Sequence, residues 1–143
     1  MNNEAHVGSF TVGGQPSEAD LRRLVDAGHK TVINVRMPDE LPSPEQPKIP
    51  SGVEYHDVPL NGATISASHV ARVRDALAAS KGTALVHCAG GTRAAVVVAA
   101  VLAEKAGDGA AGARRRIEAA GFDVADSPYA QFVERYFGGS SSA

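Results

Sequence analysis

Several residue types are scarce in this chain of 143 residues, and each scarcity excludes a class of protein. A single cysteine cannot form an internal disulfide, so the fold cannot depend on oxidative cross-links and suits a reducing compartment. A net charge of −2 argues against a general nucleic-acid or membrane-surface binder. The amino terminus lacks the apolar core of a secretory signal, and the apolar run at 94–103 is about half as long as a membrane span. We therefore expect a cytoplasmic protein without a nucleic-acid or membrane partner.

The rest of the composition is that of an ordinary globular protein. Hydrophobic residues make up 43% of the chain and charged residues 21%, which excludes a mainly disordered polypeptide. The length suits one hydrophobic core. We expect a single domain over residues 1–137, followed by a flexible tail, GGSSSA, at 138–143.

Hydrophobic periodicity predicts strands that alternate with helices. Strands are predicted within 7–13, 30–35, 52–60 and 83–87, and helices over 17–28, 66–80, 92–106, 113–121 and 127–137. Ser17 is expected to cap the first helix with Asp20, and Gly28 to end it. Five prolines predict an irregular surface loop over 37–50, and GDGAAG at 107–112 predicts a flexible connection. The alternation indicates an α/β fold with a central, mostly parallel sheet of four to five strands flanked by helices.

The only cysteine lies between a predicted strand and a predicted helix. Residues 82–102 read GTALVHCAGGTRAAVVVAAVL, so Cys88 directly follows an apolar strand and Arg93 lies just inside the next helix. In open α/β sheets, ligands bind beyond the carboxyl ends of the strands, where the amino terminus of the next helix also points. The residues expected to bind substrate through loop amides are Ala89, Gly90, Gly91 and Thr92.

This pattern indicates an anion cradle around a reactive thiol. The two glycines permit a tight turn, and the guanidinium of Arg93 matches a tetrahedral oxyanion. The same positive field favours the thiolate, which is the nucleophilic form of cysteine. His87, at the strand end, is expected to order the loop or tune the thiol. Taken singly, Cys88 has a plain explanation as a small buried side chain, but the combination favours chemistry.

The segment VHCAGGTRA resembles the signature loop of cysteine-dependent protein tyrosine and dual-specificity phosphatases. With GQPS at 14–17, INVR at 33–36 and GTR at 91–93, the chain from about residue 13 to about residue 101 is similar to a bacterial family, the phosphatase-like domain associated with beta-lactamase-hydrolase-like proteins. The resemblance implies a dual-specificity-phosphatase-like fold and a thiolate nucleophile at Cys88. It also implies that Arg93 binds the oxyanion and stabilises the transition state.

Two features depart from the general phosphatase pattern. Four residues separate Cys88 from Arg93, as in that bacterial family, whereas the general phosphatase loop has five. The resulting loop of six residues from Cys88 to Arg93 also resembles that of rhodanese-type sulfurtransferases, whose cysteine carries a persulfide. The aspartate that serves dual-specificity phosphatases as general acid falls on Asn61 or Gly62 here, and neither donates a proton. Asp57 lies earlier, within the predicted strand, and is retained as a weak candidate for the acid.

Arg36 lies at the carboxyl end of a predicted strand, and so at the same edge of the predicted sheet as Cys88. It is expected either to contact substrate or to pair with Asp39 or Glu40 and so order the proline-rich loop. His56 and His69 have no companion at metal-ligand spacing, so no metal site is expected. No cofactor is expected either.

Three functions are compatible with these residues. The first is a phosphatase that acts on phosphate monoesters through a thiophosphoryl intermediate on Cys88. The alternative is a rhodanese-like sulfurtransferase, and the third is an anion-binding or interaction module without turnover. The expected substrate is accordingly a phosphorylated or sulfur-bearing small molecule or protein, and the oligomeric state stays open.

Overall fold

The computed structural model describes residues 1–40 and 49–138, in which strands and helices alternate. The strands are β1 (Ala5–Val7), β2 (Phe10–Gly13), β3 (His29–Asn34), β4 (Glu54–Asp57) and β5 (Thr83–His87). The helices are α1 (Glu18–Asp26), α2 (Ala67–Ala79), α3 (Thr92–Ala106), α4 (Gly109–Ala119) and α5 (Pro128–Phe137), with a 3₁₀ turn at Pro38–Glu40. Most of the predicted proline-rich loop and of the predicted tail lies outside the described residues.

The strands form one sheet in the order β1-β2-β5-β3-β4. All neighbouring strands are parallel except β1 and β2, which form an antiparallel pair where the sequence predicted one short strand. The predicted α/β fold with a mostly parallel sheet is therefore confirmed. β5 occupies the centre because its apolar residues can be covered on both faces, and Ala84, Leu85 and Val86 are fully buried.

Helices cover both faces of the sheet. Val86 packs on one face in the cluster that contains most of α3, whereas Leu85 packs on the other with Leu21 and Leu24 of α1. α3 is buried along most of its length, which accounts for its apolar sequence. Within the described part of the chain, no helix combines the length and apolarity that crossing a bilayer requires.

The start of α1 confirms the predicted capping box. The backbone N–H of Asp20 donates to Ser17 Oγ at 3.0 Å, and the N–H of Ser17 donates to Asp20 Oδ2 at 2.9 Å. Gly28 follows the helix with φ of +107°, a conformation that favours glycine. This cap fixes where β3 begins, and the carboxyl end of β3 borders the candidate site.

The predicted flexible connection at 107–112 is wrong in its last four residues, because α4 begins at Gly109. The Asp108 carboxylate accepts hydrogen bonds from Arg116 at 2.9 and 3.1 Å and lies over Gly112, where it takes the space of a side chain. Packing of α4 against the core therefore outweighs the low helix propensity of its glycines.

Candidate active site

Cys88 is the first residue beyond the central strand of the sheet. The loop Cys88–Gly91 connects β5 to α3, and the backbone N–H of Cys88 donates to the carbonyl of Gly13 at 3.1 Å. The preceding residue is tied to β3, since Val35 N–H donates to the His87 carbonyl at 2.9 Å. The thiol is thus held at the carboxyl edge of the sheet, at the amino terminus of a long helix.

The loop turns sharply so that one of its own amides points to the sulfur. Gly91 has φ of +100°, and its N–H donates to Cys88 Sγ at 3.0 Å. The amides of Ala89, Thr92 and Arg93 have no acceptor among the residues that the structure describes. Such amides at a helix amino terminus favour an anion.

The burial of the thiol also fits a structural role. Cys88 is 1% exposed and belongs to the same apolar cluster as α3. A purely structural cysteine, however, needs no donor at its sulfur. The contact from Gly91 is what distinguishes this site from an apolar core position, because an N–H donor stabilises the thiolate more than the thiol.

Arg93 presents one edge of its guanidinium to a potential ligand. Its two terminal nitrogens donate to the two carboxylate oxygens of Glu40, both at 2.6 Å, and Nη1 also donates to the Leu60 carbonyl at 3.2 Å. Of the five N–H donors, Nε–H and one hydrogen on Nη2 remain without an acceptor in the described residues. These two hydrogens form the parallel fork that holds an oxyanion in bidentate fashion.

Glu40 is a member of the site that sequence analysis missed, having linked it to Arg36 rather than to Arg93. Its Oε2 also accepts from the Met37 N–H at 2.8 Å, and this bond fixes the carboxylate next to Arg93. The hydrogen bonds from Arg93 lower the pKa of Glu40 against the effect of partial burial, so it is ionised at neutral pH. No local pattern in the sequence pointed to this pairing, which joins residues 53 positions apart.

Glu40→Gln is expected to strengthen orthophosphate binding about fivefold. The variant removes a negative charge beside the open edge of Arg93, and repulsion between that charge and the anion costs about 1 kcal/mol at a high effective dielectric constant. Calorimetric titration at neutral pH measures the effect. Asp39→Asn, which removes the same charge from the neighbouring residue, is the matched control and should change the affinity less than twofold. Weaker binding by Glu40→Gln would mean that holding Arg93 in place outweighs the repulsion.

Asp57, the weak candidate for the general acid, bonds to side chains of β3 and β4. Its Oδ1 accepts from the Tyr55 hydroxyl at 3.0 Å and from the Asn34 amide at 3.3 Å. Tyr55 packs with the cluster under α1, whereas Cys88 belongs to the cluster under α3. These contacts give Asp57 a structural function within the sheet, and its role as an acid stays a prediction.

Arg36 is buried at the carboxyl edge of the sheet instead of extending into solvent. It is 3% exposed, and its Nε–H donates to Asn34 Oδ1 at 3.2 Å. The backbone N–H of Arg36 donates to the same oxygen at 3.0 Å, so this amide fixes the end of β3. A direct contact between Arg36 and substrate stays a prediction.

His87 is a neutral imidazole. Burial, reinforced by the positive charge of Arg36, lowers the pKa of His87 to about 4, and the ring is 3% exposed. Its Nδ1 has no hydrogen-bond partner within the described ranges. At neutral pH His87 therefore lacks the charge that would let an imidazolium stabilise the thiolate or protonate a leaving group.

Asn61, at the position expected for the general acid, is close to Arg93 in the structure but stabilises a turn. Asn61 Oδ1 accepts from the N–H groups of Ala63 and Thr64 at 2.8 and 2.9 Å, immediately after the Leu60 carbonyl that contacts Arg93. This is an Asx turn, in which the amide supplies acceptors and no transferable proton. The described structure therefore places no acid at this position.

Other regions of the described structure have fewer of the features that an anion-binding active site needs. A cavity of about 500 Å³ between β4 and α2 is lined in part by His56, Asp57 and Arg72, but it lacks the loop amides and the helix terminus of the Cys88 loop. Among the described residues, no group of three or more His, Cys, Asp or Glu side chains is arranged to hold a metal ion. His69 accepts from the Ser66 N–H at 3.1 Å and so belongs to the start of α2.

Comparisons with known proteins bear on the family and the fold of the chain. Residues 5–106 match the family model described as "Beta-lactamase hydrolase-like protein, phosphatase-like domain". A beta-lactamase hydrolase-like protein of Agrobacterium fabrum is 33% identical over an alignment of 96 residues, and the match covers 59% of this chain and 21% of that protein. The chain thus spans about a fifth of the length of the curated relatives it matches.

Two solved structures illustrate the shared fold. Human DUSP28 has a TM-score of 0.75 at 21% identity, covering 100% of this chain and 97% of its own. P. aeruginosa TpbA has a TM-score of 0.72 at 20% identity, covering 94% of this chain and 84% of its own. The fold is that of the dual-specificity phosphatases, as the family resemblance implied.

Proposed function

Since the chain belongs to the family of phosphatase-like domains of beta-lactamase hydrolase-like proteins, we propose that it is a cysteine-dependent phosphatase that hydrolyses phosphate monoesters. The observation that carries the proposal is the hydrogen bond from Gly91 N–H to Cys88 Sγ at the amino terminus of α3. The open fork of Arg93 supplies the second element, a binding edge for the transferred group.

In the first step, the thiolate of Cys88 attacks phosphorus in line with the ester oxygen. The P–S bond forms as the P–O bond breaks, and the alkoxide or phenoxide leaves with the bonding electron pair. Arg93 and the amides of Ala89 and Thr92 bind the equatorial oxygens, where preorganised donors stabilise the charge that develops. The leaving oxygen then takes its proton from water.

In the second step, water attacks the thiophosphoryl group. The new P–O bond forms as the P–S bond breaks and its electron pair returns to Cys88 Sγ. A proton passes to solvent, orthophosphate leaves, and the thiolate of Cys88 is regenerated. Neither step needs an oxidant, a reductant or a further co-reactant. The chain's own contribution is to position the phosphoryl group and to stabilise its charge.

Because the described residues place no general acid at the position expected for it, we expect the substrate to supply a good leaving group. General acid catalysis contributes about 10²–10⁴-fold to a rate, and Asn61 provides none of it. A phenoxide needs less protonation than an alkoxide, so aryl monoesters are the preferred class. We expect an aryl phosphate to react at least about 10²-fold faster than an alkyl phosphate of similar size.

Sulfur transfer is the second candidate, and the cradle of six residues from Cys88 to Arg93 favours it. The thiolate of Cys88 attacks the outer sulfur of thiosulfate, the S–S bond breaks, and sulfite leaves. Attack by cyanide on the resulting persulfide then releases thiocyanate and restores the thiolate. Neither transfer protonates an oxygen leaving group, so this chemistry needs no general acid.

One pair of assays separates the candidates. The protein is incubated with p-nitrophenyl phosphate or with thiosulfate and cyanide, and each reaction is acid-quenched for peptide mass spectrometry. Phosphate release with one phosphoryl group on the Cys88 peptide supports the phosphatase. Thiocyanate with one extra sulfur atom on that peptide contradicts it in favour of sulfur transfer. Binding of orthophosphate without turnover of either substrate contradicts both and leaves the anion-binding module.

A further inference from the structure

The segment before β1 lies against the Cys88 loop. The side-chain amide of Asn3 donates from Nδ2 to the carbonyl of Gly90 at 2.8 Å. The same segment is anchored at its neighbour, because the Gly14 N–H donates to the Asn2 carbonyl at 2.8 Å. Residues 87 positions apart in sequence thus meet at the loop that carries the thiol.

A single peptide unit, between Gly90 and Gly91, connects the contact of Asn3 to the contact of the sulfur. The carbonyl of Gly90 and the N–H of Gly91 belong to the same planar trans peptide, in which the two groups point in opposite directions. Asn3 holds the carbonyl on the outer side, and the N–H consequently points inward to Cys88 Sγ at 3.0 Å. A rotation of this peptide would turn the carbonyl oxygen towards the sulfur and disfavour the thiolate.

Asn3 adopts a conformation that most residues avoid. Its φ is +56°, and within the described ranges Asp126 is the other non-glycine residue with positive φ. Asparagine tolerates this left-handed region better than most residues with a side chain. The conformation is one that both asparagine and aspartate accept, which makes an isosteric test possible.

We propose that Asn3 is a positioning residue, whose side-chain amide fixes the Gly90–Gly91 peptide so that the Gly91 N–H donates to the thiolate of Cys88. This inference rests on the proposed function, in which the thiolate is the nucleophile. Asn3 does not contact the reacting atoms itself. Its effect is on the fraction of Cys88 that is ionised at a given pH.

The test compares Asn3→Asp with Asn2→Asp in the full chain. Asn3→Asp keeps the size and the backbone conformation but replaces the donor by a carboxylate that repels the Gly90 carbonyl, whereas Asn2→Asp adds the same charge one residue away. The readout is the pH midpoint of alkylation of Cys88 by iodoacetamide, followed by mass spectrometry. Asn3→Asp should raise the midpoint by about one pH unit, a tenfold change in ionisation, and Asn2→Asp by less than about a third of a unit.

Asn3→Gly separates the amide from the backbone. Glycine accepts positive φ without strain but has no side-chain donor, so it should raise the midpoint in the same direction as Asn3→Asp, and it serves in place of Asn3→Asp if that variant does not fold. Equal midpoints in the wild type, Asn3→Asp and Asn3→Gly would overturn the inference while leaving the proposed function standing. A wild-type midpoint near that of free cysteine would overturn both.

Discussion

Arg93→Lys is expected to lower kcat for an aryl phosphate by about 10³-fold, which corresponds to about 4 kcal/mol of transition-state stabilisation. Lysine keeps the positive charge and can still pair with Glu40, which holds the present side chain through two bonds of 2.6 Å. It cannot present a second pair of parallel donors while doing so, because an ammonium lacks the planar fork of a guanidinium. The loss therefore measures the open edge of Arg93 rather than its charge.

The control for this variant is Arg74→Lys. Arg74 also joins a helix to a glutamate, with Nη1 donating to Glu104 at 3.3 Å, but it lies on the exposed face of α2. Steady-state kinetics should show a reduced kcat for Arg93→Lys and unchanged constants for Arg74→Lys, and thermal unfolding should show that both variants are folded. A loss of less than tenfold for Arg93→Lys would contradict a role of this fork in the transition state.

The parts of the fold that sequence analysis identified depend on signals from neighbouring residues. The apolar run that ends at His87, the glycines after Cys88 and the apolar helix after them specify a strand, a turn and a helix with little help from the rest of the chain. The capping box of Ser17 and Asp20 is likewise local. Such patterns are sufficient to predict that the thiol lies at the carboxyl edge of a parallel sheet.

The parts that were missed depend on contacts between distant segments. Glu40 reaches Arg93, and Asn3 reaches Gly90, only because the sheet order brings the ends of β2 and β3 to either side of β5. The start of α4 at Gly109 was missed for a related reason, since propensity argues against helix there and tertiary packing decides. Sequence patterns therefore found the nucleophile of the proposed reaction but not the residues that position its surroundings.

Gly91→Ala is expected to lower the free energy of unfolding by about 3 kcal/mol, since strain at an unfavourable φ and overpacking each cost about 1–3 kcal/mol. Gly91 has φ of +100°, which residues with a side chain rarely adopt. A Cβ atom there would lie 2.9 Å from Cζ and 3.0 Å from Cε1 of Phe122, a ring only 9% exposed and therefore unable to move aside easily. Denaturant titration measures the loss.

The adjacent glycine provides the matched control. Gly90 is not in the positive-φ region, and a Cβ there would meet no atom within 4 Å, so Gly90→Ala should change the free energy of unfolding by less than about 0.5 kcal/mol. Equal stability of the two alanine variants would contradict the expectation.

The double variant Gly91→Ala with Phe122→Leu separates the two costs, because leucine removes the ring atoms in contact and leaves the backbone strain. If the double variant loses less stability than the two single variants added together, the difference is the contribution of the clash. The rest of the loss in Gly91→Ala is the backbone strain of an alanine in the conformation that directs the N–H of residue 91 to Cys88. This strain is the reason that the loop needs glycine at this position.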